Sequence, residues 1–326
     1  EMLKPFERVL GEAVVPGIRI SSMSLTLDSE TSINVFFTME EGRDISEYSF
    51  TVDGNPAEKH ITLELEGVYN HSKVFVNDQE AGGYVYGYTG YEVCLDDFLK
   101  AGENTIRIDA DNKDVPNSRW YSGAGIYRPL HMRIQDKDAY IEDVKIITKS
   151  INPAVIEVET THQGGEVSAE ICLDGKQVAA IEGDKKEVTV PDAKLWNAES
   201  PTLYTARVEL KKYILPHQNK LSIEEFNENA GLHGWNAQQG FLVNGEPTLL
   251  KGGCVHHDNG ILGAAEYDDA AIRRIEILKS YGFNAIRSAH NPCSEAVLRA
   301  CDKLGMYVMD ELWDTWTEKK NPYDNG

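Results

Sequence analysis

The sequence predicts a multidomain, mostly β protein: two antiparallel, sandwich-like units followed by a parallel strand–helix series. Three observations predict it. Apolar and polar residues alternate with period two in runs through 61–108, and again through 154–210, with turn residues between the runs. From Thr248 to Asp314, three apolar runs are separated by two helical patterns, the spacing of a parallel βαβ series. A length of 326 residues, 41% of them hydrophobic, supplies two or three cores rather than one.

Taken in order, residues 1–57 form an atypical β-rich segment. Ser24-Leu-Thr-Leu27 and Ile33-Asn-Val-Phe-Phe37 read as short strands, and Asp53-Gly54-Asn55-Pro56 as a turn. Residues 58–136 show the first clear antiparallel unit. Ile61-Thr-Leu-Glu-Leu-Glu66 alternates, Lys73-Val-Phe-Val76 runs into an Asn77-Asp78 turn, and Thr105-Ile-Arg-Ile108 follows Gly102-Glu103-Asn104. Within this unit, Gly123 and Gly125 permit a tight irregular loop. There Arg119, Trp120, Tyr121 and Tyr127 offer donors and flat apolar faces on which sugars stack. The same aromatics would equally serve as core packing beside a glycine-rich connection.

Residues 137–235 hold a second unit and a linker. Ala154–Glu159, Glu166–Leu173 with its Asp174-Gly175 turn, Gln177–Ala180, Glu187–Val190 and Leu203–Leu210 are short strands at the spacing of an immunoglobulin-like sandwich. Lys211 to Asn236 reads as a polar, irregular linker. Residues 236–326 begin with a hairpin turned by Asn244-Gly245. Strands are then predicted over Thr248–Val255, Phe283–Arg287 and Met306–Met309. The first intervening helix is capped by Asp268 and buries Ile272, Ile275 and Leu278 before Gly282; Ser294 caps the second, which buries Val297, Ala300, Cys301 and Leu304 before Gly305.

The formal charge of -21 argues against nucleic acid or an anionic membrane surface as partner and suits neutral ligands. No run approaches the ~20 apolar residues of a membrane span. The five cysteines, Cys94, Cys172, Cys254, Cys293 and Cys301, are scattered and odd in number, as reduced packing residues are.

Parallel sheets and barrels place their chemistry where the strands end. His256, Asp258, Arg287, His290, Asn291, Asp310 and Glu311 all follow the C-terminal ends of the three predicted strands and should converge on one mouth. Period two puts His256 and Asp258 on one face and His257 elsewhere. With His290 they make a trio that would hold a divalent metal and activate water, or bind the hydroxyls of a sugar. No further ligand is spaced in a recognisable metal pattern, so the metal reading is the lesser one. Asp258 and Glu311 are the two carboxylates that a glycoside-cleaving pair would need, at a separation of ~5 Å or ~6.5–9.5 Å. Their other reading is to orient neighbouring side chains.

A longer set of residues resembles glycoside hydrolase family 2: Glu64-Leu-Glu-Gly-Val-Tyr69, Val76-Asn77, Tyr86-Gly-Tyr88, Arg119–Arg128, Leu195-Trp196 with Ser200-Pro-Thr-Leu-Tyr204, Gly240–Gly245, Leu250-Lys-Gly252, Gly282–Arg287 with His290, and Cys301-Asp302 with Tyr307–Glu311. Gly253–Gly263 followed by Ser288-Ala-His-Asn-Pro292 is most similar to the family's β-galactosidases. The resemblance implies a sugar-binding jelly-roll-like domain, an immunoglobulin-like sandwich, and the first three βα units of a (β/α)8 TIM barrel. It implies a retaining two-carboxylate mechanism on terminal β-galactosides, with β-glucuronidases, β-mannosidases and a non-catalytic carbohydrate-binding module as alternatives. Substrate contacts fall to His256, His290, Arg287, Asp258, Asn291, Asn117 and Arg119. About 80 residues follow Glu246, against the roughly 200–250 a whole barrel needs. Both catalytic glutamates are therefore expected beyond this chain, leaving Asp258 and Glu311 as the only candidates within it. No cofactor is implied: the position of Asp314 matches a metal-binding glutamate of some relatives, but Trp316 stands where their histidine is expected. The implied partner is a β-linked sugar, without nucleic acid or membrane, and a homo-oligomer is left open.

Overall fold

The computed structural model describes residues 24–27, 31–40, 43–52, 54–113, 123–210, 213–214, 219–221, 233–236 and 240–312. They form a mostly β architecture of two sandwiches and a three-stranded parallel sheet with two helices.

In the first sandwich, a six-stranded antiparallel sheet runs in the order Ser24–Leu27, Thr31–Glu40, Arg43–Val52, Gly102–Asp111, Ser72–Val76, Gln79–Tyr84. It packs on a second sheet of Leu130–Asp136, Lys59–Leu65 and Tyr91–Cys94. The shared core takes Ile106, Ile108, Val74 and Val76 from one sheet and Ile61, Leu63, Leu65 and Val93 from the other. The alternation is plain in Gly102–Asp111, where Asn104, Ile106, Ile108 and Ala110 are buried and their neighbours are not. The expected Asn77-Asp78 turn forms with φ of 48° and 66°, the left-handed pair that matches hairpin twist. The boundary drawn at residue 57 falls inside this sheet, because Arg43–Val52 pairs along its whole length with Gly102–Asp111. A strand's periodicity reports its apolar face and says nothing of a partner fifty residues away.

The second sandwich sets Tyr140–Ile151, Ala154–Gln163 and Lys185–Thr189 against Lys176–Glu182, Val167–Leu173 and Tyr204–Leu210. Ile146, Ile156, Val158, Ile171, Ala206, Val208 and Leu210 fill its core. The polar segment expected to be an irregular linker contains strands instead. Tyr213–Ile214 and Asn219–Leu221 both add to Tyr204–Leu210, and His233–Asn236 pairs with Gly240–Val243. Strands of two to four residues are too short to display an alternation in hydropathy.

Gly252–Val255, Ala285–Ser288 and Tyr307–Asp310 are parallel and in register, as expected. The first strand starts later than the apolar run. Asn284 holds the preceding segment, accepting from the Lys251 N–H at 2.6 Å and donating to the Leu249 carbonyl at 2.9 Å. The helices Asp268–Ser280 and Glu295–Leu304 pack on one face, burying Ala271, Ile275, Val297, Ala300 and Cys301 against Ile286 and Met306. Ser294 caps the second helix, accepting from the Val297 N–H, and Gly305 ends it in the left-handed region. Asp268 does not cap the first. Tyr267 is the N-cap residue and makes no side-chain cap bond; Asp268 sits in the first turn, where its charge suits the helix dipole, and accepts from Arg299 at 2.8 Å.

Trp196 locks the second sandwich to this unit. It packs with Ala198, Val243, Ala285 and Tyr307, and its indole N–H donates to the Asp302 carbonyl at 2.9 Å. The Lys279 ammonium reinforces the joint, donating to the carbonyls of Ala198 and Gly305. None of the five cysteines forms a disulfide, but Cys94 and Cys254 are exposed, so the packing role fits Cys301 and not those two. Among the described residues no helix is long and apolar enough to cross a membrane.

Candidate functional site

Register places Cys254, Arg287 and Met309 in one row across the parallel sheet. Ile286 and Val308, one residue earlier in their strands, pack towards the helices, so Arg287 faces the other way. Glu311, two residues past Met309, returns to the Arg287 side. The Arg287 guanidinium donates to Glu311 Oε1 through Nε at 2.7 Å and also through Nη2, and this partner raises its pKa. The other carboxylate oxygen, Oε2, lies 3.2 Å from His290 Nδ1. One carboxylate on the third strand end therefore holds two cationic or donor side chains from the second.

His256 follows the first strand. A carbonyl can only accept, so the 2.8 Å contact with the Ala289 oxygen puts the proton on His256 Nδ1. Its ring lies 5.7 Å from that of His290, centroid to centroid. Asn291 donates to the Tyr86 hydroxyl at 2.7 Å. The structure thus brings His256, Arg287, His290, Asn291 and Glu311 to one mouth, at the strand ends where they were expected.

Asp258 is not drawn into this group. It is exposed on the loop after the first strand, where its backbone carbonyl accepts from Arg274, which also donates to Asn259 Oδ1. The donor atoms of His256, Asp258 and His290 do not gather within 4.8 Å of one another; among the described residues the trio that does is His60, Cys94 and Asp96. The chain leaves strand geometry at His256, so period two no longer governs where Asp258 points. Asp310 is likewise exposed, and its Oδ1 accepts from the Cys293 N–H at 3.1 Å. Asn117 and Arg119, with Trp120, Tyr121, Asp314 and Trp316, lie outside the described residues.

The supports of this mouth carry no motif in the sequence. Glu266 is buried; Ser294 Oγ donates to its Oε2 at 3.0 Å, and Arg274 Nη1 stands 3.0 Å from its Oε1 without hydrogen-bond alignment. Nothing local distinguishes Arg274 from the adjacent Arg273. Behind the mouth, Arg128 is buried and donates to the carbonyls of Tyr88 and Pro292, both at 2.8 Å. His257 does point away from His256: it is 7% exposed and packs 4.9 Å from the Tyr88 ring. Burial, and then the Arg128 charge, press its pKa down to about 3. Tyr127 is core: its hydroxyl donates to the Gly87 carbonyl at 2.7 Å, and burial pushes the phenol well above its usual range. For this residue, packing rather than sugar stacking is the outcome.

The second sandwich and the strand–helix unit both match known families. Residues 134–214 match the model of glycosyl hydrolases family 2, and residues 237–317 match that of the family 2 TIM barrel domain. The chain is 33% identical over 310 residues to the beta-galactosidase BoGH2A of Bacteroides ovatus, covering 85% of this chain and 35% of that protein. It is 26% identical over 318 residues to a beta-glucuronidase of Streptococcus agalactiae, covering 86% of this chain and 52% of that protein. A crystal structure of a family 2 member from Bacteroides cellulosilyticus superposes with a TM-score of 0.74 at 32% identity, over 86% of this chain and 41% of that one. The chain thus spans between about a third and a half of the length of these relatives. With consecutive pieces of one family matched in order, and with a relative's fold spanning most of the chain, this protein belongs to glycoside hydrolase family 2.

Proposed function

We propose that this chain carries the sugar-gripping part of a retaining β-galactosidase site. The observation that carries the reading is the cluster of His256, His290, Arg287 and Glu311 at the ends of three parallel strands. On this reading, residues 58–136 are the core of a jelly-roll-like sugar-binding domain, 137–235 an immunoglobulin-like support, and 236–326 the first three units of a (β/α)8 barrel. His256 and His290 hydrogen-bond sugar hydroxyls, with Arg287 and Asn291 beside them, while Glu311 holds Arg287 and His290 in place. Asp258 lines the outer rim of this mouth, and Asn117 and Arg119, outside the described residues, are assigned to the same sugar by the family resemblance alone.

Bond cleavage belongs to two further carboxylates, supplied by sequence beyond these residues. One, protonated, assists the leaving group, and the other forms a glycosyl-enzyme that water then opens. Both oxygens of Glu311 are engaged by neighbours, which suits orientation better than attack on carbon. This chain alone therefore binds without turnover.

A galactoside is favoured over a glucuronide on charge. A glucuronide brings a carboxylate, which calls for an uncommitted cation. Among the described residues of the mouth, Arg287 is already paired with Glu311, and the strand ends also carry the exposed acids Asp258 and Asp310. The named relatives include both specificities.

The test is calorimetric titration with a β-thiogalactoside and a β-thioglucuronide, with mass mapping after a 2-fluoro-galactoside inactivator. The galactoside should bind preferentially, about tenfold more weakly in Glu311→Gln, with no covalent adduct. An adduct on Asp258 or Glu311, or a preference for the glucuronide, would overturn the proposal.

A further inference from the structure

A separate cluster of metal-type ligands lies on the smaller sheet of the first sandwich. His60 and Thr62 are two apart on Lys59–Leu65 and share a face. Thr62 pairs with Cys94 in the antiparallel register, and Asp96, two residues on, comes across from His60. One donor atom each from His60, Cys94 and Asp96 lies within 4.8 Å of the other two. His60 Nδ1 and Asp96 Oδ2 are 3.0 Å apart, close to the ~3.3 Å between neighbouring ligands on a tetrahedral metal with ~2 Å bonds.

The ligands are held in place. Asp96 Oδ1 accepts from the Ile61 N–H at 2.7 Å, leaving Oδ2 to face His60. The His60 ring stacks on Tyr140 with centroids 4.0 Å apart, and its Nε2 lies 3.4 Å from Thr62 Oγ1. Such outer contacts orient a metal-binding imidazole. The His60 and Asp96 side chains are only 16% and 8% exposed, while Cys94 is exposed and leaves a path from solvent. The Lys137 ammonium now sits 2.8 Å from Asp96 Oδ2, on a side chain 45% exposed that is free to swing outward.

From this geometry we infer that His60, Cys94 and Asp96 form a binding site for a divalent transition-metal cation of the zinc class, which enters by displacing Lys137 from Asp96. A thiolate with an imidazole and a carboxylate selects that class over magnesium or calcium, which take oxygen ligands. On binding, Cys94 gives its thiol proton to solvent and His60 moves its proton from Nδ1 to Nε2, towards Thr62. Tyr140 opens the second sandwich, so the ion would clamp the junction of the two sandwiches. The inference does not depend on the sugar reading.

Cobalt(II) is the probe, titrated anaerobically into the whole chain with a thiol-free reductant. One equivalent should produce near-ultraviolet sulfur-to-cobalt charge-transfer absorption. Cys94→Ser should abolish the band and Cys254→Ser should keep it, although both cysteines are exposed. Lys137→Met should tighten binding by roughly tenfold, because a competing charge is gone. A band absent from the unaltered chain, or one that survives Cys94→Ser, would overturn the inference.

Discussion

Asn291, just beyond the middle parallel strand, donates to the Tyr86 hydroxyl at 2.7 Å, and that hydroxyl donates onward to the Leu312 carbonyl at 3.0 Å. One phenol of the first sandwich therefore pins the segments that follow two strands of the parallel sheet. Tyr86→Phe removes both bonds and keeps the ring. It should cost about 1–2 kcal/mol locally. Hydrogen exchange is expected to speed up at 289–292 and around Leu312 while the second sandwich stays protected. Unchanged exchange at both places would show that the phenol does not brace the mouth.

Arg128 is the stronger tie. Its guanidinium is buried and satisfies the carbonyls of Tyr88 and Pro292, which lie on opposite sides of the interface. Arg128→Met fills similar volume but leaves two carbonyls without their donor. The expected loss is about 2–4 kcal/mol, read as a lower denaturant midpoint. A loss below about 0.5 kcal/mol would mean that water replaces the guanidinium there.

His257 gives the protein an acid-sensitive term. Its folded pKa is about 3 against an ordinary 6.5, so the folded chain holds it neutral while the unfolded chain takes up a proton. The unfolded state binds more protons in that window, so stability falls as pH drops from about 6.5 towards 3. The slope approaches ~1.4 kcal/mol per pH unit for this one group. In His257→Phe, which keeps a ring against Tyr88, urea unfolding at a series of pH values should show a flatter acid limb. An identical limb in both proteins would assign the acid sensitivity elsewhere.

Gly305 ends the second helix at a φ of 77°, and a Cβ there would stand 2.3 Å from the Ala198 carbonyl oxygen. Two separate penalties follow for Gly305→Ala, backbone strain and a clash with the second sandwich, together more than about 2 kcal/mol. Gly305→Asn tolerates the left-handed conformation better but meets the same carbonyl. Thermal unfolding should therefore show Asn rescuing little. Full rescue by Asn would place the whole cost in the backbone and none in the joint.

The local frame of this protein is legible within short stretches of its chain. Alternation in Ile61–Leu65 and Thr105–Ile108 marks strands because a half-buried strand must put every second residue in the core. The left-handed turn at Asn77-Asp78, the Ser294 cap and the Gly305 stop are local chemistry, legible within a few residues. The placing of His256, Arg287, His290, Asn291 and Glu311 at one mouth also followed, since parallel strands collect whatever follows their C-terminal ends. Which of these residues touch is set by packing between distant segments. The sharing of Glu311 between Arg287 and His290 depends on the register of two strands. The exclusion of Asp258 depends on where Arg274 draws its loop. The contacts of Tyr86 with Asn291 and of Arg128 with Pro292 depend on how one sandwich packs on another unit, across 205 and 164 residues of chain. Periodicity reports which face of an element is apolar; the partner that covers the face is chosen by packing between segments far apart in sequence.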